Sequence, residues 1–175
     1  MGCQWTGPSL GGMNDFDFIA GRWKVHNRRQ DKWLVGSTNF EEFEGFAHGA
    51  VYFDGKATFD HVEFPSRGTS GLTLRLYQPE TELWSIYWAG SQTGKLDPPV
   101  IGRFDGGVGT FVGDDTFEGR PIKVRFTWSD ITASSARWQQ ELSDDGGQTW
   151  ELNWVMELTR MTDVPDPASE PDRAR

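Results

Sequence analysis

Apolar and polar residues alternate along the chain, and the alternation is clearest between Gly119 and Arg160. Three segments, 121–128, 135–143 and 148–160, carry apolar residues at most alternate positions, with mainly polar side chains in between. A period of two is that of a β-strand, whose successive side chains point to opposite faces. The pattern therefore predicts three consecutive antiparallel strands in a sheet with one apolar, aromatic face and one hydrated face.

Shorter segments with the same alternation precede these three, and glycines, prolines and aspartates separate them. They lie at 21–30, 38–54, 57–64, 72–78, 83–89, 99–104 and 108–113, of which 38–64 is the least regular part. Connections of hairpin length make neighbouring strands antiparallel, and a sheet of about ten strands usually closes, which removes its exposed edges. A barrel of that width is not filled by its own side chains. The sequence therefore predicts an all-β fold, a closed antiparallel meander barrel of about ten strands over residues 15–161 with an internal cavity. A two-layer sandwich is the alternative.

The two ends of the chain differ from this middle part in composition. Residues 1–14 are rich in glycine and are predicted to form a flexible arm, whereas the acidic, proline-rich residues 162–175 are predicted to be a disordered tail. The net charge of −9 argues against nucleic acid as a partner. No apolar run reaches the roughly 18 residues of a membrane span, and no leader peptide is recognisable. Cys3 is the only cysteine, so we expect a reducing, cytoplasmic location. The oligomeric state stays open, with a homodimer as the alternative to a monomer.

The aromatic content suggests a binding cavity. Nine tryptophans and 12 phenylalanines are more than a core of this size needs, and large aromatic side chains also line cavities. Alternation predicts the following ligand-binding residues on the inner face: Trp84, Trp88, Phe126, Trp128, Trp138, Gln140 and Trp154. The amide of Gln140 interrupts an apolar face and needs a partner, either a neighbouring polar group or a ligand. We therefore expect an apolar or aromatic small molecule as the partner, with Gln140 orienting it.

An enzyme acting on a hydrophobic small molecule in the same cavity is the alternative function. Asp60 and His61 form the best local acid–base candidate for an isomerase, cyclase, lyase or dehydratase without an organic cofactor. Adjacent strand residues point to opposite faces, so both can face the cavity only if the strand contains a bulge.

Three histidines, His26, His48 and His61, fall on three successive strand regions. Three imidazoles can bind a catalytic zinc ion, but these lack the close spacing of typical metal ligands. We therefore predict neither a metal nor a haem or other cofactor, and scattered surface histidines are the favoured interpretation.

Two further patterns concern charge and turns. Arg75, Arg103 and Arg125 lie in mid-strand on faces predicted to point outward, and the opposite facing would make them a cationic pocket for a carboxylate ligand. The segment Ser143–Trp150 resembles the Asp-box, S-x-D-x-G-x-T-W, in which serine, aspartate and threonine hold a hairpin turn together. We interpret it as structural.

The first and last strands carry a resemblance to a known superfamily. Gly21-Arg22-Trp23 opens the first strand and Arg160 ends the last, a combination that resembles the calycins, which include the lipocalins. The resemblance implies that Trp23 closes one end of the barrel with Arg160 packed across it. Longer sequence segments resemble a bacterial family of small calycin-like β-barrels for which no activity is established. These segments lie at 70–83, 84–88, 96–104, 113–132 and 136–160. That likeness implies a closed barrel with an internal pocket and supplies no catalytic residues.

Overall fold

Ten antiparallel strands form a closed barrel in the computed structural model, which describes residues 11–162. The strands are β1 (Gly21–Gln30), β2 (Phe40–Tyr52), β3 (Ala57–Phe64), β4 (Thr69–Gln78), β5 (Leu83–Gly90), β6 (Val100–Asp105), β7 (Val108–Phe117), β8 (Arg120–Ser129), β9 (Ser135–Ser143) and β10 (Glu151–Arg160). Each strand pairs with its neighbour in sequence, and β1 also pairs with β10. The prediction of a closed antiparallel meander barrel is confirmed.

Short 3₁₀ helices are the other regular elements in residues 11–162, at Asp17–Ile19, Phe53–Gly55 and Pro65–Arg67. In this part of the chain no helix has the length and apolar character needed to cross a bilayer. Of the predicted arm, residues 11–14 lie against the barrel, where Asn14 N–H donates to the Gly55 carbonyl at 3.0 Å. Residues 1–10 and 163–175, which hold the rest of the predicted arm and nearly all of the predicted tail, lie outside the described residues.

One end of the barrel is filled by the segment that precedes β1. Phe16 is fully buried there, and Trp23 Nε1 donates to the Ile19 carbonyl at 3.1 Å. The segment approaches β2 at Gly49, where an added Cβ would lie only 2.5 Å from the Ile19 oxygen. The Arg160 guanidinium lies 4.2 Å from the Trp23 ring, in the arrangement that the calycin resemblance implied. We call this the closed end.

The facing of β4 is the reverse of the prediction. Thr73 and Arg75 point into the barrel and are buried, whereas Leu72 is 42% exposed on the outer face. The predicted outward position of Arg75 is therefore wrong. Arg103 and Arg125 do lie on the outer side, where Arg125 forms an ion pair with Glu141. Alternation identifies the two faces of a strand, but it cannot say which one is inside when the outer face is also apolar.

Candidate binding site

A cavity of about 390 Å³ occupies the barrel beyond the filled end and reaches the opposite end, which we call the open end. Nine aromatic side chains contribute to its wall: Trp33, Phe43, Phe64, Trp88, Phe117, Phe126, Trp128, Trp138 and Trp154. The volume falls at the small end of the range of roughly 300–1,000 Å³ that is typical of small-molecule sites. The space therefore suits one compact ligand with an apolar body.

Contacts between aromatic rings fix one side of the wall. Trp138 packs edge-to-face against Trp154, with ring centroids 5.6 Å apart, and Phe126 lies 5.0 Å from Trp138 on the other side. Trp154 Nε1 also donates to Asn27 Oδ1 at 3.0 Å, which satisfies the buried amide oxygen. Edge-to-face pairs and a buried hydrogen bond hold these rings in place before any ligand arrives.

Trp88 owes its position to a glycine on the neighbouring strand. An added Cβ at Gly71 would lie 1.9 Å from Trp88 Cη2, so the indole occupies the space of the missing side chain. Gly71 pairs with Gly90 across β4 and β5, which keeps this stretch of wall thin. Trp88 therefore lies against the wall as one of the residues that line the cavity.

A buried ion pair forms part of the cavity floor. Arg75 and Asp60 are only 3% and 5% exposed, and Arg75 Nη1 donates to Asp60 Oδ1. The same guanidinium lies 5.1 Å from the Phe16 ring and 5.5 Å from Trp128. Its Nε is buried and has no hydrogen-bond partner. This N–H is therefore left unsatisfied beneath the cavity surface, and the ion pair relies on the Asp60 contact for its stability.

Two further arginines line the open end. The Arg29 guanidinium lies 4.8 Å from the Trp33 ring and 4.5 Å from Trp154. Burial lowers its pKa and nearby Arg67 lowers it further, while the charge of Glu41 acts in the opposite direction. Arg67 forms an ion pair with Glu41 and lies 3.9 Å from the ring of Phe43. Within residues 11–162, no carboxylate oxygen lies within 4.0 Å of the Arg29 guanidinium.

Acidic residues line another part of the same opening. Asp97 precedes β6 and Asp115 lies near the end of β7, and both border the cavity. Burial raises the pKa of Asp97, and the neighbouring charge of Asp115 raises it further. The opening therefore carries separate cationic and anionic groups.

The predicted ligand-binding residues fall into two groups. Trp88, Phe126, Trp128, Trp138, Gln140 and Trp154 all line the cavity. Trp84 does not: it is fully buried at the closed end, where its Nε1 donates to the Gly12 carbonyl at 3.3 Å. Alternation identified its inward direction, but not its depth along the barrel axis. Gln140 Nε2 donates to Asn153 Oδ1 at 3.2 Å, so a neighbouring polar group satisfies part of this amide.

The acid–base candidates separate onto opposite faces. Asp60 points into the cavity, whereas His61 lies on the outer face opposite His48 in a regular register between β2 and β3. His26 is also on the outside, with Nε2 3.5 Å from Glu42. In the part of the chain that the structure describes, no group of three or more histidine, cysteine, aspartate and glutamate side chains could hold a metal ion.

The sequence analysis did not predict several residues of this site, among them the two arginines at the open end. Arg29 shares the inward parity of Trp23, Val25 and Asn27, so continuing the alternation by two residues would have placed it inside. Arg67 belongs to a short 3₁₀ helix after β3, and no periodic signal reaches that turn.

Comparison with solved structures supports the fold. An S-type phycobiliprotein lyase from Guillardia theta superposes with a TM-score of 0.51 at 11% identity, over 84% of this chain and 90% of that one. The fold is a calycin-like barrel. No family model and no curated protein matches the sequence.

Proposed function

We propose that this calycin-like barrel binds a small apolar or aromatic molecule in its cavity. The observation that carries the proposal is a preformed space of about 390 Å³, walled by aromatic rings and bordered by the buried Arg75–Asp60 ion pair. A ligand in this space supplies the apolar contacts that the facing rings lack.

The ligand's body lies between Trp88, Phe126 and Trp138, whose rings face the cavity. An uncharged polar group at its inner end lies against the Arg75–Asp60 pair, which borders the cavity. Gln140 orients the ligand, as its position in the sequence suggested. Its Nε2 donates to Asn153, but the side chain still borders the cavity.

Catalysis is the weaker candidate. The neighbour of known structure is by its name a lyase, but an identity of 11% supports the shared scaffold and not that activity. Acid–base chemistry in this cavity would depend on Asp60, which is engaged by Arg75, and would not involve His61. The cytoplasmic location and the possibility of a homodimer stay with the proposal as expectations.

Titration with the neutral fluorophore N-phenyl-1-naphthylamine tests the proposal. We expect saturable one-to-one binding with enhanced probe emission, and Trp138→Ala should weaken it about tenfold because an aromatic wall is lost. Trp150→Ala is the matched control. Trp150 lies in the β9–β10 turn, 4.2 Å from Arg125, and does not border the cavity. Absence of saturable binding to the folded wild type, or equal weakening by both variants, would contradict the proposal.

A further inference from the structure

We propose that the ligand is an organic anion, a carboxylate or a similar singly charged acid on an apolar body, and that its acidic group binds Arg29 and Arg67 at the open end. The inference rests on the proposed function and adds the charge of the ligand and its direction in the cavity.

The balance of charges on this side of the opening is the first reason. Arg29 and Arg67 both border the cavity, and Glu41 is the carboxylate that pairs with Arg67. In the described chain Arg29 has no carboxylate within 4.0 Å. Arg29 and Arg67 thus share the charge of Glu41, which is opposite Arg29 across β1 and β2, so the two arginines keep a net positive charge that an incoming anion balances.

The second reason is that both guanidinium groups are already held in place. Arg29 is stacked between Trp33 and Trp154, and Arg67 lies on Phe43. The planar fork of arginine matches the two oxygens of a carboxylate, and stacking reduces the entropy lost when the contact forms. Trp154 and Arg29 both border the cavity. The Trp154 ring can therefore contact the apolar body of the ligand while Arg29 contacts its acidic group.

The remaining charges around the cavity define the direction of the ligand. The floor carries Arg75 and Asp60 as a neutral pair, which suits an uncharged polar group. At the opening, Asp97 and Asp115 repel an anion. The acidic group therefore lies on the arginines, with the apolar body directed toward the floor.

Two fluorescent probes with the same aromatic body test this directly. 8-Anilinonaphthalene-1-sulfonate carries an anionic group that N-phenyl-1-naphthylamine lacks. We expect the wild type to bind the sulfonate more tightly. Arg29→Gln and Arg67→Gln should each weaken sulfonate binding about tenfold, as expected for a charge-assisted hydrogen bond, and leave the affinity for the neutral probe within about twofold.

Control variants distinguish this result from loss of structure or binding elsewhere. Arg29→Lys keeps the charge without the planar fork, so its affinity for the sulfonate should lie between those of wild type and Arg29→Gln. Leu72→Ser alters the exposed apolar outer face and should change neither affinity. Thermal melting of each variant checks that the barrel is folded.

The outcomes separate the inference from the proposed function. If the neutral probe binds and the sulfonate gains nothing from the arginines, this inference is wrong and the binding function stands. If neither probe binds the folded wild type, both are wrong. If Leu72→Ser weakens the sulfonate as much as Arg29→Gln does, the probe binds the outer face and the inference is overturned.

Discussion

The same pair of strands presents an arginine against a tryptophan at both ends of the barrel, with opposite outcomes. Trp23 of β1 is opposite Arg160 of β10 at the closed end, and at the open end Arg29 of β1 is opposite Trp154 of β10. Ring-to-guanidinium distances are similar, 4.2 and 4.5 Å. The two pairs differ in what surrounds the guanidinium.

At the closed end, every nitrogen of the Arg160 guanidinium has a protein acceptor. Its three nitrogens donate to the carbonyls of Ala133, Ala20 and Phe18 at 2.8, 2.6 and 2.8 Å. Arg29 in the described chain has two aromatic neighbours and no carboxylate within 4.0 Å. The satisfied donors of Arg160 give it a structural role, whereas Arg29 is the arginine that we propose as a binding group.

The largest effect should follow from emptying the closed end. Phe16 is fully buried among the rings of Trp84, Phe104 and Phe111, with centroids 5.0, 5.1 and 5.6 Å away. Phe16→Ala should lower the free energy of unfolding by about 3–5 kcal/mol, because the tightly packed rings cannot close the resulting void. Urea denaturation measures this. A loss below about 1 kcal/mol would mean that the closed end is as loosely filled as the open end.

A somewhat smaller effect is expected where the two ends meet, at the cavity floor. Asp60→Ala leaves the Arg75 guanidinium buried without its carboxylate and should lower the free energy of unfolding by about 3 kcal/mol. The double variant Asp60→Leu with Arg75→Met removes both charges and should recover most of that loss. Denaturation of Asp60→Leu, Arg75→Met and the double variant completes the cycle, and additive losses would contradict coupling between the two residues.

Replacing Arg160 and Arg29 in turn tests whether only the first of them stabilises the fold. Arg160→Met should lower the free energy of unfolding by about 2 kcal/mol, because three carbonyls lose their donor. Arg29→Met should change it by less than about 0.5 kcal/mol, since in the described chain the guanidinium has no carboxylate within 4.0 Å and methionine still covers the rings. Thermal and urea unfolding give both values. Equal losses would mean that Arg29 is structural too.

The smallest effect concerns a turn at the open end. Hydrogen bonds from the Thr149 hydroxyl, the Thr149 N–H and the Ser143 hydroxyl to Asp145 hold the pKa of that carboxyl well below its usual range. A lowered pKa stabilises the folded state above the unfolded value of about 3.9, and this contribution is lost as the pH falls through the folded pKa.

Asp145→Asn should therefore lower the melting temperature slightly at neutral pH, and the difference from wild type should shrink as the pH falls below about 4. Asp144→Asn is the control in the same turn, since the Asp144 carboxylate lies 3.6 Å from the exposed Arg120 and is not the acceptor of the turn hydrogen bonds described for Asp145. A pH-independent difference for Asp145→Asn would contradict this prediction.

The strand ladder was predictable because alternation is a local property. The hydrogen bonds of the turn at Ser143–Trp150 also follow from local sequence, as the interactions of Asp145 show. The inward face of β4 was not predictable, because Leu72 lies outside and Arg75 inside. The position of Trp84 along the barrel axis was not predictable either. It depends on the contact between β5 and Phe16 at the closed end, and these residues are distant in sequence.

Both arginine–tryptophan pairs lie at the seam of the barrel, where the first strand, β1, pairs with the last strand, β10. Every other pairing in the barrel joins strands that follow one another, whereas the bond from Trp154 to Asn27 spans 127 residues and that from Arg160 to Ala20 spans 140. The entropy cost of loop closure is therefore largest at this seam, and we expect its contacts to form late in folding. A molecule bound against Arg29 and Trp154 would hold the two ends of the ladder together, so occupancy of the cavity would slow the opening of the barrel.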